Sequence, residues 1–147
     1  MPKTSLGARR KGRAIALQAL FEVDCTGHVS TESLDRLLEG SPLPEETVTF
    51  ARESVLEVLE NRGIIDELIR RFAPAWPLQQ MAMVDRNILR LGVYEILFKV
   101  VPAKVAINEA VELAKTFGSD SSSKFVNGVL GSVYTELTNQ EERKEVI

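Results

Sequence analysis

The stretch PAKVAINEAVELAKTFGSDSSSKFVNGVL, residues 102–130, decides the fold class. Pro102 suits the first position of a helix, because the N–H it lacks is one that a first turn leaves unpaired in any case. The helix it starts ends at Phe117-Gly118. Ser121–Ser123 then cap another helix, on which Val126, Val129, Leu130, Val133 and Leu137 make an apolar face. At 100° per residue, Ser121, Lys124, Phe125 and Gly128 fall on the opposite side at i, i+3, i+4 and i+7. Two adjacent helices joined by a short turn, one of them amphipathic, point to an all-α bundle.

Working outward, helix signals dominate and strand signals are nearly absent. No segment alternates apolar and polar residues for long, and no Asn-Gly or Asp-Gly turn separates β-branched runs. The pattern predicts a first helix from about Ala8 to Cys25. A short second helix follows a Ser30 or Thr31 cap, carries Leu34, Leu37 and Leu38, and stops at Gly40. Pro44 opens a third, with Val48, Ala51, Val55 and Leu59 at helical spacing before Gly63. Ile64–Phe72 is a fourth. Pro74 and Pro77 bracket Trp76 and break the chain there. A fifth helix runs from about Leu78 to Val100, with Met81, Val84, Ile88, Leu91 and Glu95 along one line. The helices starting at Pro102 and Ser121 are the sixth and seventh, and the polar stretch from Thr138 is expected to fray. The expectation is one domain of about seven helices in two packed helical subdomains, about 1–73 and 78–137, followed by a polar tail, 138–147.

At 147 residues and 44% hydrophobic, the chain is able to bury a core without disulfides or metal. The lone Cys25 has no internal partner, no apolar run is long enough to span a bilayer, and a cytoplasmic protein with no membrane association is expected. The net charge of −3 is unevenly spread. Lys3, Arg9, Arg10, Lys11 and Arg13 precede every one of the 21 acidic side chains. Screening limits charge interactions to roughly 8–10 Å at physiological salt, so a basic arm on an acidic chain still holds a polyanion locally. A solvated terminus accounts for the arm equally well.

Catalytic patterns are missing. His28 is the sole histidine; with Cys25 it falls short of a zinc site, and a surface loop position is expected for it. No phosphate-binding loop, dinucleotide fingerprint or nucleophile elbow occurs. Glu109 and Glu112 at i, i+3 read as a solvated helix face, and Glu45-Glu46 as acids in a first turn. No enzyme, no cofactor and no metal are expected. The outer face of the seventh helix offers a cation, a ring and a hydroxyl. It begins where backbone N–H groups of the Ser121–Ser123 turn face an anion. That set suits single-stranded RNA, with stacking for a base and charge for the backbone. The same residues also suit a ring tucked against the sixth helix with serines that only cap.

Three blocks resemble the NusB transcription antitermination family: PAKVAINEAVELAKTFG with KFVNGVL (Pro102–Gly118 and Lys124–Leu130), RRKGRAIALQALF (Arg9–Phe21), and NILRLGVYE (Asn87–Glu95). Residues 26–80 match only in helical pattern. The resemblance implies an all-α, NusB-like fold of two subdomains and a non-catalytic RNA-binding adaptor. It implies binding to boxA RNA of ribosomal RNA leader transcripts together with NusE, a ribosomal small-subunit protein. The setting is an antitermination complex on RNA polymerase with other Nus factors. Carried over by position, Arg9, Arg10, Arg13, Ser121, Ser122, Lys124 and Phe125 are the RNA-binding candidates, and Phe21 and Asp85 are near the NusE contact. On the first helix Ala16, Ala19, Leu20 and Val23 form the expected core face. Ile15, Gln18 and Glu22 lie opposite and, with Phe21, make a partner-binding patch. Two positions depart from the family pattern: Ser121, where some members carry an acid, and Phe21, where others carry Tyr. Alternatives are the RNA-binding module of a ribosomal RNA cytosine methyltransferase, and a homodimer whose RNA site is masked.

Overall fold

A computed structural model describes residues 6–27, 31–40 and 42–146. The basic residue Lys3, the His28 loop position and the alternative cap Ser30 lie outside them. The order is α1 (Leu6–Thr26), α2 (Glu32–Glu39), α3 (Glu45–Glu60), α4 (Arg62–Phe72), one 3-10 turn (Leu78–Gln80), α5 (Met83–Leu97), α6 (Ala103–Phe117) and α7 (Ser122–Val146). Among the described residues there is no strand. The seven helices and the all-α class are those the periodicity predicts.

The chain forms two compact units, 1–61 and 62–147. The division falls earlier than the Pro74–Pro77 segment, because α4 packs on α5 and α7 and so belongs with the C-terminal helices. Gly63 does not end the third helix. Asn61 does, with φ −106° and its N–H donated to the Glu57 carbonyl, and α4 starts at the next residue.

In the first unit α1 packs on α3, and α2 meets both. Ala16, Ala19, Leu20 and Val23 are buried as expected, with Ala51, Val55 and Val58 of α3 and Leu34 of α2. Each fully buried Val or Leu contributes about 1.5–3 kcal/mol. Ile15 is 8% exposed, so it adds nothing to an exposed patch on this helix.

In the second unit α5 is the central element, buried at every position from Asn87 to Ile96 and packed on α4, α6 and α7. Such a helix brings polar groups into the core, and each needs a partner. Arg90 meets Asp66 of α4 through two parallel bonds, Nε to Oδ1 at 2.8 Å and Nη2 to Oδ2 at 3.1 Å. Its Nη1 donates to Asn87 Oδ1 at 3.1 Å, and Asn87 Nδ2 donates to the Met83 carbonyl at 2.8 Å. Glu109, expected on a solvated face with Glu112, is instead 6% exposed.

Helix α5 begins five residues later than the periodicity suggests. Leu78–Gln80 form a separate 3-10 turn, and Met81 and Ala82 are extended (ψ 147° and 135°) before Met83. It ends at Leu97, where Lys99 takes φ 54° and donates to the Ile96 carbonyl, while Val100 N–H reaches the Glu95 carbonyl at 3.0 Å. That pairing is a Schellman ending, usually built on glycine. The stretch from Thr138, expected to fray, continues α7 as helix to Val146, and Glu141 pairs with Lys99 at 3.2 Å.

Candidate nucleic-acid interface

The turn between α6 and α7 is built on a close approach. A Cβ at Gly118 would lie 2.5 Å from Ser122 Oγ, 2.6 Å from Ser122 Cβ and 2.8 Å from the Ala114 carbonyl. With no Cβ in the way, Ser122 Oγ accepts the Ser119 N–H at 2.9 Å, and Ser122 N–H donates to the Ser119 carbonyl at 3.1 Å. Ser122 is therefore 1% exposed, and both its polar groups are engaged within the turn. It holds the start of α7 and is not a surface for RNA, which corrects its place among the contact candidates. Its N–H is likewise not free for a phosphate.

The residues around it remain open. Ser121 and Lys124 are exposed, and Phe125 is half-buried. Val126, Val129, Leu130 and Val133 face the core, so the predicted division of this helix into an apolar and an outer face is the one observed. Ser121 and Phe125 line a cleft of about 370 Å³ together with Trp76, Gln80, Met81, Ala82 and Asp85. The structure thus brings Asp85, a partner-binding candidate, beside two RNA-binding candidates. Asp85 sits in the first turn of α5, where its charge favours the helix dipole. Its Oδ1 is buried and accepts no hydrogen bond from a described residue.

Trp76 was not among the candidates. It is 56% exposed on the cleft wall. Its signal was a lone tryptophan between two prolines, a segment that does not bury its ring. A larger groove of about 680 Å³ runs from Ile96–Ala103 to Tyr134–Lys144, and no candidate residue lines it.

The remaining candidates all lie on α1, in the other unit. Gly12 lets α3 come near, since a Cβ there would stand 3.0 Å from Phe50 Cδ1 and 3.3 Å from the Thr47 carbonyl. Thr47 Oγ1 donates to the Ala8 carbonyl at 3.2 Å across the same seam. The Phe50 ring then lies under two guanidinium groups, Arg13 at 5.0 Å and Arg9 at 5.4 Å from its centroid. A desolvated cation over a ring is worth about 2 kcal/mol. Arg13 is 2% exposed; it serves the packing of α1 on α3, and a direct phosphate contact is ruled out for it as it stands. Arg9 is half-buried, whereas Arg10 and Lys11 are exposed.

Among the partner candidates on α1, Gln18 is exposed and Phe21 and Glu22 are half-buried. Glu22 pairs with Arg36 of α2 at 3.6 Å. The patch is therefore Gln18, Phe21 and Glu22 without Ile15.

Among the described residues no His, Cys, Asp and Glu side chains gather as a metal site would require, and no helix is long and apolar enough to cross a membrane.

Comparison with known proteins agrees with this architecture. Residues 10–135 match the NusB family model, across both units. The chain is 49% identical over 139 residues to a transcription antitermination protein NusB of Dehalococcoides mccartyi, covering 94% of this chain and 97% of that one. It is 44% identical to the protein of the same name from Myxococcus xanthus, over 90% and 98% of the two chains. Among solved structures, NusB of T. maritima superposes with a TM-score of 0.81 at 36% identity, covering 87% of this chain and 91% of that one. A complex of the antitermination factors NusB and NusE with double-stranded RNA contains a chain that matches at 25% identity and a TM-score of 0.81, covering 90% of this chain and 99% of its own. These relatives are named for transcription antitermination and not for a reaction. The chain belongs to the NusB family.

Proposed function

We propose that this protein is a transcription antitermination factor that binds boxA RNA of ribosomal RNA leader transcripts together with NusE. It is a non-catalytic cytoplasmic adaptor to elongating RNA polymerase and its other Nus factors. The observation that carries the reading is the convergence of Ser121, Phe125 and Asp85 on one cleft, beside the exposed Lys124 at the start of α7. A ring next to a cation suits an unstacked base followed by its phosphate, which is why a single strand is the substrate we assign. Arg9, Arg10, Ser121, Lys124 and Phe125 contact RNA in this reading. Arg13 and Ser122 hold those residues in place. Gln18, Phe21, Glu22 and Asp85 face NusE.

The test is binding of a single-stranded boxA RNA to the chain, with and without NusE, across a salt series. Affinity is expected to rise when NusE is added and to fall steeply with salt, because each phosphate neutralised on a single strand adds about −0.7 to the logarithmic slope. Salt-insensitive binding, or no binding with NusE present, refutes the proposal. Phe125→Ala is expected to weaken binding by about tenfold or more, the value of one stacked base.

A further inference from the structure

We propose that the groove between the α5–α6 corner and the C-terminal half of α7 docks an acidic amphipathic helix of a protein partner in the transcription complex. The inference rests on the adaptor reading above and adds a third contact surface, apart from those for RNA and NusE.

The groove, of about 680 Å³, has an apolar floor of Leu97, Val100, Val101, Tyr134 and Leu137. None of the five is fully buried, and Tyr134 is 38% exposed. Clustered apolar side chains left open to solvent in a groove mark a surface that a partner covers. The rim is positive on a chain whose net charge is −3: Lys99 and Lys144 stand there against Glu141 alone. Lys144 is exposed and forms no ion pair with a described residue. Pro102 and Ala103 bring the start of α6 to the same rim, and its first turn holds no acid, so the helix dipole adds to the positive side.

Lys99 supplies an independent observation. Its φ of 54° is a left-handed backbone, which glycine adopts freely and a residue with a Cβ does not. Its ion pair with Glu141 joins side chains 78% and 61% exposed, and such a pair returns little stability. Glycine would end this helix without strain, and strain of this kind is kept where the side chain has a use. A cation held at the rim of an apolar groove suits a partner that carries acids beside an apolar stripe.

A helix is the form that fits. Among the described residues there is no sheet edge for an added strand, whereas a docked helix satisfies its own backbone. From Tyr134 to Lys144 the wall of α7 runs about 15 Å, room for about three turns. RNA suits the groove poorly, because its phosphates need cations along the strand and the floor offers none. The groove is also remote from the other faces. Lys144 lies about 30 Å along α7 from Lys124, and Leu97 about 18 Å along α5 from Asp85. A helix seated there leaves the starts of α5 and α7 uncovered.

The full chain carrying Tyr134→benzoylphenylalanine is assembled from purified components with NusE, boxA RNA, RNA polymerase and the other Nus factors, then irradiated. A cross-link is expected into one protein segment outside NusE, with apolar residues at helical spacing and acids on their flank. A synthetic peptide of the mapped segment is then titrated against the unlabelled chain by anisotropy. Lys99→Gly and Lys144→Ser are each expected to weaken the peptide by about twofold to fivefold, with RNA affinity in the presence of NusE unchanged. Lys99→Gly relieves the strained backbone, so its weaker peptide binding does not come from unfolding.

A cross-link to RNA assigns the groove to nucleic acid, one to a second copy of the chain assigns it to a dimer, and one to NusE merges it with the NusE face; each overturns the proposal. So does the absence of a protein cross-link in a complex that holds boxA RNA and NusE, or a peptide that binds Lys99→Gly as tightly as the parent. A chain that binds no boxA RNA with NusE present fails at the adaptor reading, and this surface falls with it.

Discussion

The pair Asp66–Arg90 ties α4 to the central helix α5, and removing either partner leaves one buried charge without its counter-charge. The two side chains are 11% and 8% exposed, so solvent does little to screen them or to replace a lost partner. Asp66→Leu takes both carboxylate acceptors from a guanidinium that stays buried, where Asn87 Oδ1 still accepts from Nη1. Two charge-assisted bonds disappear and the charge stays buried. The expected loss is about 3–5 kcal/mol, a large share of the roughly 5–15 kcal/mol that holds a domain folded. Arg90→Met leaves the carboxylate buried and is expected to cost about as much. The double replacement removes both charges and fills the space with apolar groups of similar volume. It is expected to recover to within about 1 kcal/mol of the parent. Urea unfolding of all four proteins, followed by helical circular dichroism, measures the cycle. Single substitutions costing under about 1 kcal/mol would refute the argument, since the pair would then behave as a solvated surface bridge. A double variant as unstable as the two singles combined would refute it differently, placing the energy in side-chain packing and not in the charge balance.

Three further outcomes follow from particular residues. Gly118→Ala drives a methyl group into Ser122 and the Ala114 carbonyl; we expect a loss of about 1–3 kcal/mol in urea unfolding together with weaker RNA binding, because the start of α7 is displaced. Lys99→Gly relieves a left-handed backbone and gives up only an exposed ion pair, so a gain of up to about 1 kcal/mol is expected in the same assay, and a loss would show that the pair with Glu141 outweighs the strain. Arg13→Met is expected to destabilise the chain while leaving the salt slope of RNA binding unchanged, whereas Arg10→Ser, at an exposed position, lowers the slope and costs no more than about 1 kcal/mol in unfolding; the reverse assignment would return Arg13 to the RNA surface.

The helical class, the number of helices and the two-faced character of α7 follow from local patterning. Apolar residues at helical spacing, with prolines and glycines as punctuation, share one face when the segment is helical, and Val126, Leu130 and Val133 take the buried face that their spacing predicts. The boundaries that failed did so where a non-local contact outweighs the local signal. Thr138–Val146 is polar enough to fray alone, yet it continues α7. Leu78–Ala82 has helical spacing but turns out before α5 begins.

Which of several similar side chains faces outward was decided only by tertiary structure. Arg9, Arg10 and Arg13 look alike in sequence, and the absence of a Cβ at Gly12 draws Phe50 beneath Arg9 and Arg13 and leaves Arg10 in solvent. Ser121 and Ser122 are neighbours of identical chemistry, and the missing Cβ at Gly118 buries one and exposes the other. Asp85 lies forty residues before Phe125, and the packing of α5 on α7 puts both on one cleft with Trp76. Periodicity reports which face of a helix is apolar; what that face approaches, and which polar groups the approach covers, depends on residues far away in the chain.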